Sequence, residues 1–314
     1  MTHHTALRSG LALVLTLLLS PVAHAQLFRA YLASDGLDSN PCTLPAPCRL
    51  LPAALAAVAD GGEIWMLDSA NFNTSQVNVG KSVAILAIPG AVGSVVATAG
   101  GDAININAAG VRVALRNLVV VPVTGGGGIN GIVMNAGATL SVENSTIYNF
   151  SAGHAIRVTA AATVRVVNTL IRDNSFGIWL QGGATGDISG TQILGHSNFG
   201  LRVNGNLPGI VSTAAVSDTI LTGNFYGVSA YADNATALSR ISVTRSTMTN
   251  NQVGVRSDSF AGTVVVTVGN SMLTGNGKAF SQVGTGATLE SVGNNTVRQN
   301  NGADEGTVTQ VPPG

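Results

Sequence analysis

The side chains best suited to moving a proton are His154, Asp173 and His196, with Arg172 beside the acid. They fall on three successive copies of a repeating unit, and stacking those copies about 4.8 Å apart would bring them within about 10 Å of one another. Histidine, carboxylate and guanidinium together are what acid–base work on a uronic acid sugar requires. The same residues also read without chemistry: His196 as a rung of a corner ladder, Asp173 as a turn cap, His154 as a solvated loop residue.

A second set points to binding. The segments Ala155-Ile156-Arg157-Val158, Gly177-Ile178-Trp179-Leu180, Gly200-Leu201-Arg202-Val203, Gly227-Val228-Ser229-Ala230 and Gly254-Val255-Arg256-Ser257 align with one another. Period-two alternation turns Ile156, Ile178, Leu201, Val228 and Val255 inward and Arg157, Trp179, Arg202, Ser229 and Arg256 outward. Two residues further on, the same face carries Thr159, Gln181, Asn204, Tyr231 and Asp258. An aromatic ring among guanidinium and amide groups suits a sugar chain: the ring stacks on apolar sugar faces, amides read hydroxyls, and arginines pair with carboxylates. The expected substrate-binding residues are Arg157, Trp179, Gln181, Arg202, Asn204, Tyr231 and Arg256. The competing reading is a cation–π stack of Trp179 between Arg157 and Arg202 that only shields the sheet.

The elements that must hold these residues are repeats. From about residue 110, a Ser/Thr position recurs at 145, 169, 191, 219, 246, 271 and 296, at intervals of 24, 22, 28, 27, 25 and 25 residues. That period is the mark of a solenoid. Val, Ile, Thr, Gly and Asn dominate rather than Leu, which favours β-helix coils over leucine-rich repeats. Five residues after each Ser/Thr stand Phe150, Asn174, His196, Asn224, Asn251, Asn276 and Asn301, so a ladder of stacked amides is expected at one corner. Roughly ten coils of 22–28 residues would make a rod about 48 Å long.

Composition bounds the rest. The chain has 314 residues, with 39 Gly, 10% charged residues, and 15 basic against 15 acidic side chains. So few charges argue against a coiled coil, a helical bundle or a disordered chain, and zero net charge disfavours a general nucleic-acid binder. Arg8, the apolar run Leu11 to Leu19 and Ala23-His24-Ala25 read as a secretory signal peptide over 1–25, too short to span a bilayer. Cys42 and Cys48 are the two cysteines, and in an exported chain they are expected to form a disulfide. The segment from Arg49 to Ala59 is strongly helical. Residues 26–60 are therefore expected as a strand, the disulfide loop and a capping helix, 61–301 as the β-helix, and 302–314 as a mobile tail.

The residues Ser34-Asp35-Gly36, Asp38-Ser39-Asn40-Pro41-Cys42-Thr43, Pro47-Cys48-Arg49, Gly61-Gly62-Glu63-Ile64 and Lys81-Ser82-Val83 give the chain a family look. It resembles secreted bacterial right-handed parallel β-helix proteins of the pectin lyase-like superfamily. The resemblance covers essentially the whole mature chain and implies an all-β, right-handed parallel β-helix with an N-terminal α-helical cap. It implies no one activity, since that superfamily holds lyases, hydrolases, esterases, epimerases, tailspikes and adhesins. Polygalacturonase-like relatives carry Asn-Thr-Asp, an Asp-Asp pair, Gly-His-Gly and Arg-Ile-Lys. None occurs here, and Gly153-His154-Ala155 is the nearest approach. The marks of the family's pectin methylesterases and alginate epimerases are also missing. Calcium, which pectate lyases hold through several acids, finds no clear site among the scattered Glu143, Asp173, Asp187, Asp218, Asp233, Asp258 and Glu290.

The resulting expectation is an exported protein, secreted or periplasmic, with a polysaccharide or glycan partner, no nucleic acid, no membrane span and no resident cofactor. It would hold the glycan on its Arg/Trp/Tyr face without catalysis. The alternatives are a lyase or glycoside hydrolase acting on an acidic polysaccharide around His154, Asp173 and His196, and a purely structural surface or matrix protein.

Overall fold

Left-handed backbone recurs along this chain in two registers, and those corners set its shape. A computed structural model describes residues 26–125 and 127–312, so the expected signal peptide lies outside the described residues. One register holds Asn117, Asn144, Asn168, Gly190, Asp218, Arg245 and Asn270, and the other Asn149, Asp173, Gly195, Gly223, Asn250, Gly275 and Gln299, all with positive φ. Asn, Asp and Gly visit this region at least cost. Between each such pair of corners lies a three-residue strand, such as Thr146–Tyr148, Leu170–Arg172 or Gln192–Leu194. Seven such strands and three others of two to five residues, from Ala70–Asn71 to Thr296–Arg298, stack into one ten-stranded parallel sheet among the described residues.

Two longer strands complete each turn. One series runs through Asp102–Asn107, Asn130–Ala136, His154–Val158, Phe176–Leu180 and Phe199–Gly205, and the other through Arg112–Arg116, Thr139–Glu143, Thr163–Val167, Thr185–Ser189 and Val211–Ser217. In the next two turns the series merge into the continuous strands Tyr226–Thr244 and Val253–Gly269. Every strand pair within these sheets is parallel, with equivalent residues of successive coils in register. Ile156, Ile178, Leu201, Val228 and Val255 are fully buried in one continuous apolar core, as the alternation requires.

Side chains seal the corners. Each Ser/Thr after the first corner donates its hydroxyl to the carbonyl two residues earlier, and several accept from the next backbone N–H along the stack, as in Thr219 N to Ser246 Oγ and Ser246 N to Ser271 Oγ, both 3.2 Å. At the second corner, backbone N–H groups of Phe150, His196, Asn224 and Asn251 donate to Oδ1 of Asn174, Asn224, Asn251 and Asn276 in the following coil. The last coil departs from the expected register by one residue. Ser271 N donates to Asn295 Oδ1 and Asn276 N to Asn300 Oδ1, so Asn295 and Asn300, not Thr296 and Asn301, occupy the ladder positions. Asn295 serves there because its amide oxygen accepts the same bond as a hydroxyl.

At the N-terminal end, strand Leu27–Leu32 pairs with Val58–Met66, and Cys42 and Cys48 form a disulfide. Helix Leu51–Ala57 follows, with Pro in its first turn and Leu51, Ala54 and Leu55 buried at the i, i+3, i+4 spacing of one helical face. Closing so short a loop stabilises by about 2 kcal/mol. Cys42→Ser/Cys48→Ser protein is expected to unfold at lower urea concentration by that increment, and an unchanged midpoint would show that the loop is held by its other bonds. Residues 302–312 are no tail. Val308–Gln310 adds a parallel strand beside Leu289–Ser291, and Glu305 binds Lys278 and Ser281. The segment reads as a tail because an end coil needs few inward apolar residues. Among the described residues no helix is long and apolar enough to cross a membrane.

Candidate functional site

A glycine column lets one face of the rod carry an extra row of rings. A Cβ at Gly177 would lie 2.1 Å from the carbonyl oxygen of Gly200, and one at Gly227 2.6 Å from that of Gly254, so only glycine allows the coils to approach there. The residue before each of Gly177, Gly200 and Gly227 is aromatic: Phe176, Phe199 and Tyr226. With His154 they form a second column beside Arg157, Trp179 and Arg202. Ring centroids are 4.5 Å apart for His154–Phe176, 4.9 Å for His154–Trp179, 4.8 Å for Phe176–Phe199 and 5.8 Å for Trp179–Phe199. This aromatic row was not anticipated, although the repeated aromatic–Gly dipeptide was there to be read.

The expected binding column is in register, Arg157 beside Trp179, Trp179 beside Arg202, and Arg202 beside Ser229, which precedes Arg256. Its members differ in what they can offer. The Arg157 guanidinium lies 5.7 Å from the Trp179 ring, while Arg202 lies over Tyr231 at 4.3 Å and Phe199 at 5.2 Å. Trp179 is therefore stacked by one arginine, not two. Arg256 is already engaged, with Asp258 at 2.9 Å and Ser281 at 3.3 Å. Arg157 and Arg202 have no carboxylate partner among the described residues. Burial holds the Arg202 guanidinium below its ordinary value, against the opposing charges of Tyr231 and Asp258. Gln181 and Tyr231 are half-buried at the edge of the face, but Asn204 is only 4% exposed and sits beneath its neighbours rather than on the surface.

Polar atoms without a partner concentrate here. Asn105 Oδ1, His154 Nε2, Arg157 Nε, Trp179 Nε1, Arg202 Nε and Asn204 Oδ1 are all buried and unbonded. Each such group costs about 1–3 kcal/mol relative to a satisfied one. Donors and acceptors are mixed within one layer, which is the lining a hydroxyl-rich ligand would satisfy.

The three proton-moving residues share no hydrogen bond, although the Asp173 charge bears on His196. His154 is 8% exposed within the aromatic column, and burial together with Arg157 pushes its pKa down to about 4. His196 stands in the corner ladder, accepting at Nδ1 from the Asn174 N–H at 3.2 Å, and burial lowers it to about 4 as well. Asp173 is an exposed left-handed corner residue held 2.5 Å from Arg172. No hydrogen bond joins any two of His154, Asp173 and His196 among the described residues. Nor do three or more His, Cys, Asp or Glu there gather as a metal site.

Residues 102–302 match the family described as "Right handed beta helix region". The chain belongs to this family. As a right-handed β-helix, it superposes on pectate lyase Pel9A with a TM-score of 0.63 at 16% identity, over 91% of this chain and 80% of that one. It also superposes on XylC, solved in complex with xylose, with a TM-score of 0.58 at 9% identity, over 86% of this chain and 70% of that one. At such identities the likeness is one of fold. No curated protein matches the sequence.

Proposed function

We propose that this β-helix protein is exported and holds an acidic polysaccharide along the face of Arg157, Trp179, Arg202 and Tyr231, without cleaving it. The observation that carries the reading is the pair of guanidinium groups, Arg157 and Arg202, which flank Trp179 on consecutive coils and have no carboxylate partner among the described residues. Two coils separate them by about 10 Å along the rod. A polymer with recurring carboxylates would satisfy both while its sugar rings stack on Trp179 and the neighbouring aromatics. The shared fold of pectate lyase Pel9A and of xylose-bound XylC supports a glycan as the ligand. The disulfide supports an oxidising compartment. A lyase or hydrolase built on His154, Asp173 and His196 has less support, because those residues occupy a buried layer, an exposed corner and a buried ladder.

The test is retention of the purified protein on polygalacturonate, alginate and xylan, with and without calcium, while new chain ends are followed. Retention on the acidic polymers without chain ends is expected, and Trp179→Ala should weaken it more than tenfold. Retention of Trp179→Ala equal to the parent would remove this face as the site. New chain ends would replace binding with catalysis, and no retention on any polymer would leave a structural protein as the better account.

A further inference from the structure

Beneath the aromatic row, a line of hydrogen bonds crosses three coils. Asn130 Nδ2 donates to Asp102 Oδ1 at 2.7 Å, and Asn130 Oδ1 faces both the backbone N–H of His154, at 2.9 Å, and His154 Nδ1, at 3.0 Å. A carboxylate only accepts and a backbone N–H only donates, so both ends turn the Asn130 amide the same way. Its oxygen must face His154, and the imidazole must then carry its proton on Nδ1. That leaves Nε2 as a bare lone pair, buried and unbonded. Two side chains next to the imidazole carry N–H donors that are also buried and unbonded: Arg157 at Nε, whose charge bears on His154, and Trp179 at Nε1, whose ring lies 4.9 Å from the imidazole. One acceptor and two donors on neighbouring side chains are the complement of a hydroxyl group, which gives one hydrogen bond and takes others.

We infer that Asp102, Asn130 and His154 form a relay that fixes the histidine tautomer, so that Nε2 accepts a hydrogen bond from a sugar hydroxyl admitted as the Trp179 ring shifts to stack on the ligand. This rests on the reading of the face as a glycan-binding surface, and it makes His154 a ligand-contacting selectivity residue instead of a general base. Asp102 holds Asn130, Asn130 holds His154, and Arg157 and Trp179 supply the donors that meet the same hydroxyl.

The tautomer can be read without any ligand. In long-range proton–nitrogen spectra of the full protein labelled with nitrogen-15 histidine, His154 should show a protonated Nδ1 and a bare Nε2, and Asn130→Leu, which removes the acceptor facing Nδ1, should mix the two forms. A protonated Nε2 in the parent, or an unchanged tautomer in Asn130→Leu, overturns the relay. Adding oligogalacturonate should move the Nε2 resonance. His154→Phe, which keeps the ring stack and deletes the acceptor, should weaken binding by about fivefold to tenfold, the value of one neutral hydrogen bond. Binding that depends on Trp179 but leaves Nε2 and the His154→Phe affinity unchanged overturns the acceptor role and spares the proposed function. A parent that binds no polymer overturns the proposed function and the acceptor role with it.

Discussion

Asn251→Ala is expected to destabilise the protein by about 4 kcal/mol, among the largest effects of any single polar substitution in the chain. Asn251 is 2% exposed and joins three coils. Its Oδ1 accepts from both the backbone N–H and Nδ2 of Asn224, each at 3.0 Å, while its own Nδ2 donates to the Leu221 carbonyl and to Asn276 Oδ1, also at 3.0 Å. Alanine would orphan the Asn224 N–H in the core and strip the side-chain donor from the Leu221 carbonyl, where water cannot replace the lost bonds. Because each coil touches only its neighbours, one broken rung uncouples the rod on either side of it. Asn251→His should lose roughly half as much, since imidazole nitrogen can accept from the backbone as it does at position 196. Urea unfolding at neutral pH measures both. A loss below about 1 kcal/mol for Asn251→Ala would show that the ladder follows the fold rather than holding it.

The ladder also marks how far sequence reasoning reaches in a solenoid. Fully buried side chains such as Ile178 and Leu201 are dictated by alternation, and the glycine-bounded strands bring Arg157, Trp179 and Arg202 into one column that can be aligned by eye. The pattern weakens where different residue types can make the same bond. Asn295 replaces a hydroxyl and Asn300 then takes the place expected for Asn301, because an amide oxygen and a hydroxyl accept equally well from a backbone N–H. Exposure on the outward face was less legible. Alternation places Asn204 outward, yet it lies under longer neighbours, with Tyr231 beside it and the Arg202 guanidinium reaching across that ring. Side-chain length decides which members of an outward column meet solvent, and alternation carries no information about that. Phe176, Phe199 and Tyr226 escaped notice because a residue beside a corner breaks the two-residue period that locates all the others.

His196→Asn is expected to make the protein markedly less sensitive to acid while leaving it at least as stable at pH 7. In this fold His196 does the work of an asparagine, accepting from the Asn174 N–H through Nδ1 and donating its own backbone N–H to Asn224 Oδ1 at 3.0 Å. Protonation would place a hydrogen on the accepting nitrogen and a charge in the buried corner. Burial accordingly lowers the His196 pKa to about 4, and that of His154 to about 4, from an unfolded value of 6.5. When folding depresses a histidine pKa, the unfolded chain binds the proton first, so stability is intact above about pH 6.5 and falls as the pH drops toward 4. Between pH 7 and pH 5 each histidine removes about 2 kcal/mol by this linkage. Urea unfolding at the two pH values should show about 4 kcal/mol lost by the parent and about half that by His196→Asn. At pH 7 the amide also gives the ladder a second donor where Nε2 of the histidine has no partner. An equal acid loss in parent and variant would mean that the corner opens locally before it protonates, and that the ladder's continuity is weaker at His196 than its hydrogen bonds imply.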